Sequence, residues 1–306
     1  MSTKATHPPD TPLYPIREVS RLTGVNSVTL RAWERRYGLI RPKRTPKGHR
    51  LYAQDDIARI ERILQWLNRG VPVSQVVDLL DQPETVETPA PDAGDWVSQR
   101  QQLQATIEAL DLPKLEALYH QGLALYPLSI AVNELWQPVI LALETKWTIQ
   151  PDNLVRRTLE AFLRSQVGTR LHYANQSTRG PLILLNTMPD DPGPLWMLMA
   201  ALMASEQGYR VQMLDHPLPL EDLPQAVARL HSSMVLLTSG QRESDRFIHT
   251  ELPNAAEALN VPLGVCGAVA RLRDSELRSG PVHTLGDDLP QAIARLRPLL
   301  RESGVL

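Results

Sequence analysis

The sequence predicts a helix-rich chain of three folded parts, of which only the last contains a parallel β-sheet. Residues 13–82 read as short amphipathic helices separated by glycines and interrupted by a basic hairpin. Helical periodicity alone continues over residues 96–178. From residue 179, short apolar runs alternate with helical segments. We therefore expect a helical head with a hairpin, a four-helix bundle and an α/β domain.

Four helices are predicted in the head. Gly24 ends the first, and Asn26 is a candidate N-cap for the second, which runs to about Tyr37 before Gly38. The apolar stripes of the first, third and fourth helices are, in turn, Ile16, Val19 and Leu22; Ile57, Ile60, Leu64 and Leu67; and Val73, Val76, Val77 and Leu80.

The segments that flank the head carry no apolar period. Residues 1–12 are polar and proline-rich, which indicates a disordered leader rather than a signal peptide. Residues 83–95, PETVETPAPDAGD, read as a linker. Since no apolar run approaches the ~20 residues that span a bilayer, we expect a cytoplasmic protein without a membrane segment.

The bundle is predicted from two strong and two weak helical patterns. The strongest stripe comprises Val132, Leu135, Trp136, Val139, Ile140, Leu143 and Trp147. A second amphipathic run surrounds Leu159, Phe162, Leu163 and Val167, and weaker segments lie at 103–110 and 115–125. Four such helices favour a four-helix bundle.

The α/β domain is predicted from five apolar runs, LILLN, RVQML, SMVLLTS, PLGVCG and VHTLG, each followed by a helical segment. This alternation is typical of a flavodoxin-like, five-stranded parallel sheet. A ligand of such a domain binds at the carboxyl ends of the strands, here the loops 186–194, 238–245 and 264–268.

Charge is distributed unevenly along the chain. The formal net charge is −2, yet residues 11–82 hold thirteen Lys/Arg against seven Asp/Glu, a balance of +6 that leaves −8 for the remainder. Residues 31–50 contain eight basic residues and a single acidic one, Glu34. Such a concentration is typical of phosphate binding, the alternative being a solvated basic face.

The second helix of the head has two faces. Leu30, Trp33 and Tyr37 share one face and should pack inward, whereas Arg31 and Arg35 lie on another with Ser27 and Glu34. The basic segment after Gly38 should form a hairpin beside the helix. Tyr37 and Tyr52 either donate hydroxyls to DNA or pack in the core. The predicted DNA-binding residues are Arg17, Ser27, Thr29, Arg31, Arg35, Arg36, Tyr37, Lys43, Arg44, Lys47, His49, Arg50 and Tyr52.

The segment IREVSRLTGVNSVTLRAWERRYGLIRPKRTPKGHRLYAQDDIARI resembles the winged helix-turn-helix of the MerR family. Within it, LRAWERRYGL and P.R...GHRLY resemble the CarH-like and MlrA-like branch, whose C-terminal part is related to cobalamin-binding photoreceptor repressors. The resemblance implies a homodimer on a pseudo-palindromic promoter element, with RNA polymerase as a candidate partner. Because linker and bundle replace the usual dimerisation helix, the spacer-twisting mechanism of classical members is not assumed.

The same resemblance implies a cobalamin-binding-like module over 96–306. Trp147 falls where the family has a tryptophan above the cofactor. The family's D-x-H-x-x-G motif supplies the histidine that ligates cobalt, but the corresponding loop, NTMPDDPGPLW (186–196), contains no histidine. The family's Glu-His pair corresponds to Arg156-Arg157. We therefore expect no cobalamin and a module that serves dimerisation or sensing without it.

Trp147, Arg156 and Arg157 are the candidate ligand-binding residues of this module. The two arginines suit an anionic ligand, and their alternative is a solvated face or ion pairs. The effector, if the module has one, is not defined by the sequence.

The sequence gives little support to the hypothesis that the protein is an enzyme. Cys266, the only cysteine, lies in an apolar strand and favours a buried structural thiol over a nucleophile. The eight histidines show no metal-binding spacing, and there is no P-loop or G-x-G-x-x-G. A DNA-binding transcriptional regulator is the leading hypothesis, a cobalamin- or light-responsive repressor is the second, and an enzyme in the α/β half is the last.

Overall fold

The computed structural model of the protein describes residues 13–68, 73–80, 94–189, 191, 194–214, 216–240 and 243–304. The chain forms two compact units, one that ends at Val139 and one that begins at Ile140. The predicted leader and residues 83–93 of the predicted linker lie outside the described residues.

The head contains the four helices and the hairpin predicted from the sequence, and a short first strand that was not predicted. Its elements are β1 (Tyr14–Pro15), α1 (Ile16–Thr23), α2 (Ser27–Ala32) with a π-helical turn (Trp33–Tyr37), β2 (Lys43–Arg44), β3 (Arg50–Tyr52), α3 (Gln54–Asn68) and α4 (Val73–Leu80). The three strands form an antiparallel sheet in the order β1-β3-β2.

Local capping explains where the second helix begins and ends. Asn26 accepts hydrogen bonds from the backbone N–H groups of Val28 and Thr29, both at 2.9 Å. Gly38 ends the π-helical turn with a φ of 63°, a conformation that glycine adopts without a Cβ penalty. The predicted capping residue and stop signal are both confirmed.

A helical region follows the head. It comprises α5 (Gly94–Glu108), α6 (Leu112–Leu125), α7 (Leu128–Ile130), a π-helical turn (Ala131–Trp136), α8 (Gln137–Ile149) and α9 (Asn153–Ser177). Because α7 runs through the turn into α8, the region contains four continuous helical segments. The boundary between the two compact units falls inside α8, so a single bundle over 96–178 stays a prediction.

The second unit contains a five-stranded parallel sheet, as the alternating pattern predicted, and the structure gives its strand order as β5-β4-β6-β7-β8. Its strands are β4 (Leu182–Thr187), β5 (Arg210–Met213), β6 (Met234–Ser239), β7 (Leu263–Gly267) and β8 (His283–Gly286). Its helices are α10 (Leu195–Glu206), α11 (Leu223–Leu230), α12 (Leu252–Glu257), α13 (Ala268–Leu272), α14 (Asp274–Leu277), α15 (Leu289–Ala294) and α16 (Leu296–Glu302).

The core of this unit surrounds the sheet. The central strand β6 is buried along its whole length, and α10 is buried from Leu195 to Ala204. Helix α10 packs against α9 and against the sheet, which explains why it is apolar on all sides. None of the helices in the described ranges is long and apolar enough to cross a membrane.

Candidate nucleic-acid interface and sheet crevice

The helix Ser27–Tyr37, which we name the recognition helix, has one buried and one exposed face. Leu30 and Trp33 have no accessible surface, whereas Arg31, Arg35 and Arg36 are exposed. The side chains that the periodicity placed inward and outward are therefore separated in the structure. A helix with this division can be held by one face and present cations on the other.

Trp33 anchors the recognition helix to the helical region of the same unit. Its indole Nε1 donates a hydrogen bond of 2.9 Å to the backbone carbonyl of Leu125, the last residue of α6. A buried indole N–H needs a hydrogen-bond partner. The buried Trp33 ring is therefore held at the position on α6 where the Leu125 carbonyl can accept its hydrogen bond.

The basic hairpin from Lys43 to Tyr52, which we name the wing, projects its cations into solvent. Its turn is closed by hydrogen bonds of 2.8 Å from Thr45 N to His49 O and from Gly48 N to Thr45 O. Gly48 has a φ of 82°, which favours glycine at that point of the turn. The exposed basic side chains of the wing are Lys43, Arg44, Lys47 and His49.

Glu34 ties the wing to the recognition helix. Its carboxylate accepts a 2.7 Å hydrogen bond from Arg44 Nη2 through one oxygen and a bond from Arg50 Nε through the other. The side chains of Glu34 and Arg50 are only 16% and 12% exposed. Burial, the largest single influence, would raise the pKa of Glu34, but the hydrogen bonds and positive charges of Arg50 and Arg44 together lower that pKa below its ordinary value.

The predicted DNA-binding residues divide into three groups by exposure. The first group is exposed and comprises Arg17, Arg31, Arg35, Arg36, Lys43, Arg44, Lys47 and His49. The second group is partly buried and comprises Ser27, Tyr37 and Arg50. Thr29 and Tyr52 have no accessible surface. Burial raises the pKa of the Tyr52 hydroxyl to about 12. Of the two roles expected for Tyr52, contact with DNA or packing in the core, the structure therefore shows packing in the core.

The candidate ligand-binding residues of the second unit lie close together. The guanidinium carbon of Arg156 is 5.8 Å from the ring centroid of Trp147, within cation–π range. Arg156 and Arg157 both bind the carboxylate of Glu160, at 3.1 and 2.9 Å. Because Glu160 is buried and balances part of their charge, the two arginines form ion pairs in this structure, which agrees with one of the alternatives to an anion site.

A contact that the sequence did not reveal closes the carboxyl edge of the sheet. Trp196, at the start of α10 and 3% exposed, donates from Nε1 to Glu144 Oε2 of α8 at 2.8 Å. A Cβ on Gly240, which follows β6, would lie 3.1 Å from that indole nitrogen and 3.2 Å from Glu144 Oε2. Asp191 accepts a 3.0 Å bond from the Gly240 N–H. We name Glu144, Trp196, Asp191 and Gly240 the crevice latch.

Within the crevice latch, the carboxyl group of Glu144 has a pKa near neutrality. Burial is the largest cause that raises the pKa of Glu144 to about 7. The charges of Asp191 and Glu160 also raise it, whereas the Trp196 hydrogen bond and the charge of Arg156 lower it. Folding therefore favours the protonated form of Glu144.

The described residues contain neither an exposed thiol nor a candidate metal site. Cys266 is fully buried, and burial raises the pKa of its thiol to about 12. Among the described residues, no group of three or more His, Cys, Asp or Glu side chains is placed to hold a metal ion.

An exposed cationic recognition helix beside a basic wing defines a winged helix-turn-helix DNA-binding domain. Residues 14–83 match the MerR HTH family regulatory protein family. Over 288 residues the chain is 31% identical to the HTH-type transcriptional repressor CarH of Myxococcus xanthus, covering 88% of this chain and 94% of CarH. It is 33% identical over 213 residues to the HTH-type transcriptional regulator MlrA of Escherichia coli (strain K12), covering 67% and 81% of the two chains.

The chain belongs to the MerR family of helix-turn-helix transcriptional regulators, which confirms the resemblance inferred from the sequence. It is a DNA-binding transcriptional regulator, and its relatives are regulators rather than enzymes. Among solved structures, the monomethylamine corrinoid protein of Methanosarcina barkeri matches 66% of this chain and 98% of its own, with 13% identity and a TM-score of 0.49.

Replacement of Glu34 by glutamine is expected to lower the free energy of unfolding by about 1–3 kcal/mol, because Arg50 would lose its charged partner in a partly buried site. The matched control is Glu18→Gln, whose ion pair with Arg21 is exposed to solvent, so its loss should change the stability much less than the loss of Glu34. Urea unfolding followed by circular dichroism measures both. The pKa of Glu34 is lower in the folded state than its ordinary value of 4.5. Glu34 therefore stabilises the folded state above pH 4.5, and this stabilisation is lost as the pH falls below that value. Equal stability of the two variants would contradict the assigned role.

Replacement of Glu144 by glutamine is expected to change how stability depends on pH. A carboxyl whose pKa rises from 4.5 to about 7 on folding destabilises the folded state as the pH rises through that interval, by about 3 kcal/mol. The variant lacks this titration, so its free energy of unfolding relative to the wild type should increase between pH 4.5 and pH 8. Urea unfolding of both proteins across that range gives the difference. A constant difference would rule out a titrating Glu144.

Proposed function

We propose that the protein binds duplex promoter DNA as a homodimer, with the recognition helix in the major groove and the wing along the phosphate backbone. The observation that carries this proposal is the exposed pair Arg31 and Arg35 on the helix whose opposite side is fixed by Trp33. Arginine on such a helix suits guanine edges and phosphates. The pseudo-palindromic sites expected for the family favour a two-fold dimer.

The wing supplies contacts to phosphates in this proposal. Lys43, Lys47 and His49 are exposed at the hairpin, and Arg44 is exposed while its guanidinium is bound to Glu34. Arg50 is mostly buried against the same carboxylate, so we assign it to positioning the wing rather than to touching DNA.

Besides Arg50, two further residues leave the set of proposed DNA contacts. Thr29 and Tyr52 have no accessible surface, and Tyr52 pairs with Tyr14 in the sheet of the head. We assign both to the core of the head. Arg17 stays in the proposed set as an exposed flanking cation.

We infer further that the C-terminal module works without cobalamin and serves dimerisation or the sensing of another signal. The loop 186–196 has no histidine for an axial bond to cobalt. At the same edge of the sheet, the crevice latch fills space with the indole of Trp196, which is almost fully buried and bonded to Glu144. These residues do not fit the corrin ligand of the family. The protein would act in the cytoplasm, where promoter DNA lies.

DNA binding is tested with a duplex selected from a random-sequence library by the full-length protein. Affinity should fall steeply as salt increases, because phosphate contacts release counterions. Arg35→Ala should weaken binding by about 1–3 kcal/mol if the side chain reads a base, and a phosphate contact would instead lower the salt slope by about one. Fluorescence anisotropy at several salt concentrations separates the two cases.

The matched control for this experiment is Arg229→Ala, which removes an exposed arginine from α11 of the other unit. Its affinity and salt slope should equal those of the wild type. If the Arg31→Ala/Arg35→Ala double variant also binds like the wild type, the recognition helix is misassigned.

Cofactor binding is tested by absorbance. Protein mixed with adenosylcobalamin in the dark and passed over a gel-filtration column should elute without a corrin band, because Trp196 and Glu144 occupy the crevice. A cobalamin-binding protein run in parallel shows that the column retains bound corrin. A corrin band that co-elutes stoichiometrically with this chain contradicts the inference.

A further inference from the structure

A cavity of about 360 Å³ lies between the head and the helical region of the first unit. It is lined by the end of the recognition helix, by α4, α5 and α6, and by the π-helical turn after α7. Its volume falls in the range of small-molecule sites, roughly 300–1,000 Å³. We name it the head cavity.

The lining of the head cavity combines apolar walls with uncharged hydrogen-bonding groups. Leu103, Leu118 and Leu125 contribute apolar surface, and two tyrosine rings, Tyr37 and Tyr126, border the same space. Three carboxamides complete the lining, those of Gln99, Gln102 and Gln121. The described residues of the lining include no charged side chain.

Gly122 keeps the head cavity open. It lies in the interior of α6, where glycine weakens a helix, and a Cβ at that position would meet only Leu135 Cδ2, at 3.9 Å. A side chain at position 122 would therefore extend into the cavity without a clash at its first atom. Glycine at position 122 therefore lowers the stability of α6 and leaves the neighbouring space empty.

The head cavity adjoins the anchor of the recognition helix. Leu125 lines the cavity with its own atoms and also accepts the hydrogen bond from Trp33. Tyr37, one turn beyond Trp33, lines the cavity at the end of the same helix. A molecule in the cavity would thus touch both the α6 residue that holds the helix and the helix itself.

We propose that the head cavity binds a flat, uncharged purine, as the free base or its nucleoside, and that its occupancy changes the affinity of the head for DNA. A purine has apolar faces that suit leucine and tyrosine side chains, and an edge of alternating donors and acceptors. Glutamine carboxamides pair with such an edge through one donor and one acceptor, as they do with adenine. An ionic ligand would lose its hydration without gaining a countercharge from the lining.

The binding arm of the test uses the full-length protein with adenine and adenosine as probes. Saturation-transfer NMR and calorimetry should show binding of at least one, and the tighter of the two identifies base or nucleoside as the form bound. Benzoate, which is flat but charged, should not compete. Gln102→Leu, at an exposed lining position, should weaken binding about tenfold, and Gly122→Leu should abolish binding by placing a side chain in the space that the ligand needs.

Each variant has a matched control outside the lining. Gln101→Leu changes the exposed neighbour of Gln102 on α5, and Gly168→Leu places the same side chain at an open position of α9. Both should bind the probe like the wild type. The site is overturned if neither adenine nor adenosine binds, or if Gln102→Leu and Gly122→Leu both bind as their controls do.

The coupling arm rests on the proposed DNA-binding function. Saturating probe should change the affinity for the selected duplex by about fivefold or more, and it should have no effect on the Gly122→Leu protein. An unchanged affinity in the wild type overturns the coupling. Because the binding arm contains no DNA, its failure is distinguishable from failure of the proposed function.

Discussion

The fixed position of Trp33 is the constraint on which the DNA-binding surface depends. Its ring has no accessible surface, and its N–H group reaches the carbonyl of Leu125, ninety-two residues along the chain. Once that face is held, Arg31 and Arg35 must face outward, and Glu34 lies where it can hold the wing through Arg44 and Arg50. One helix therefore carries the anchor, the clamp for the wing and the cations. Its orientation and its electrostatics are consequences of the same burial.

The second unit uses burial in a different way. In the crevice latch, an indole and a carboxyl group occupy the carboxyl edge of a parallel sheet, the place where folds of this type hold ligands. Burial there raises the pKa of Glu144 to about 7, so the folded state is most stable when Glu144 is protonated. The head therefore exposes its cations to solvent, whereas the second unit buries an ionisable group at the edge of its sheet.

Local patterns in the sequence were sufficient to predict most elements. Asn26 and Gly38 marked the ends of the second helix, and alternating apolar runs predicted five parallel strands. Contacts between distant residues could not be predicted, because periodicity assigns faces but not partners. Glu34 was placed with the outward cations, although it binds the wing, and the pair Glu144–Trp196 joins segments 52 residues apart. The burial of Thr29 was missed for the same reason, since a small hydroxyl side chain suits either environment.

The central claim, that the recognition helix enters a DNA groove, is tested most directly by cleavage from a single tethered site. Cys266 is buried, so a cysteine placed at Val28, which is 57% exposed near the start of the helix, would be the reactive thiol for an iron chelate. A matched conjugate at Leu272, exposed on α13, serves as control. We expect the Val28→Cys conjugate to cut the selected duplex within a few base pairs of each half-site and the control to leave it uncut. If the Val28→Cys conjugate binds the duplex but cuts it no more than the control, the recognition helix does not lie in the groove.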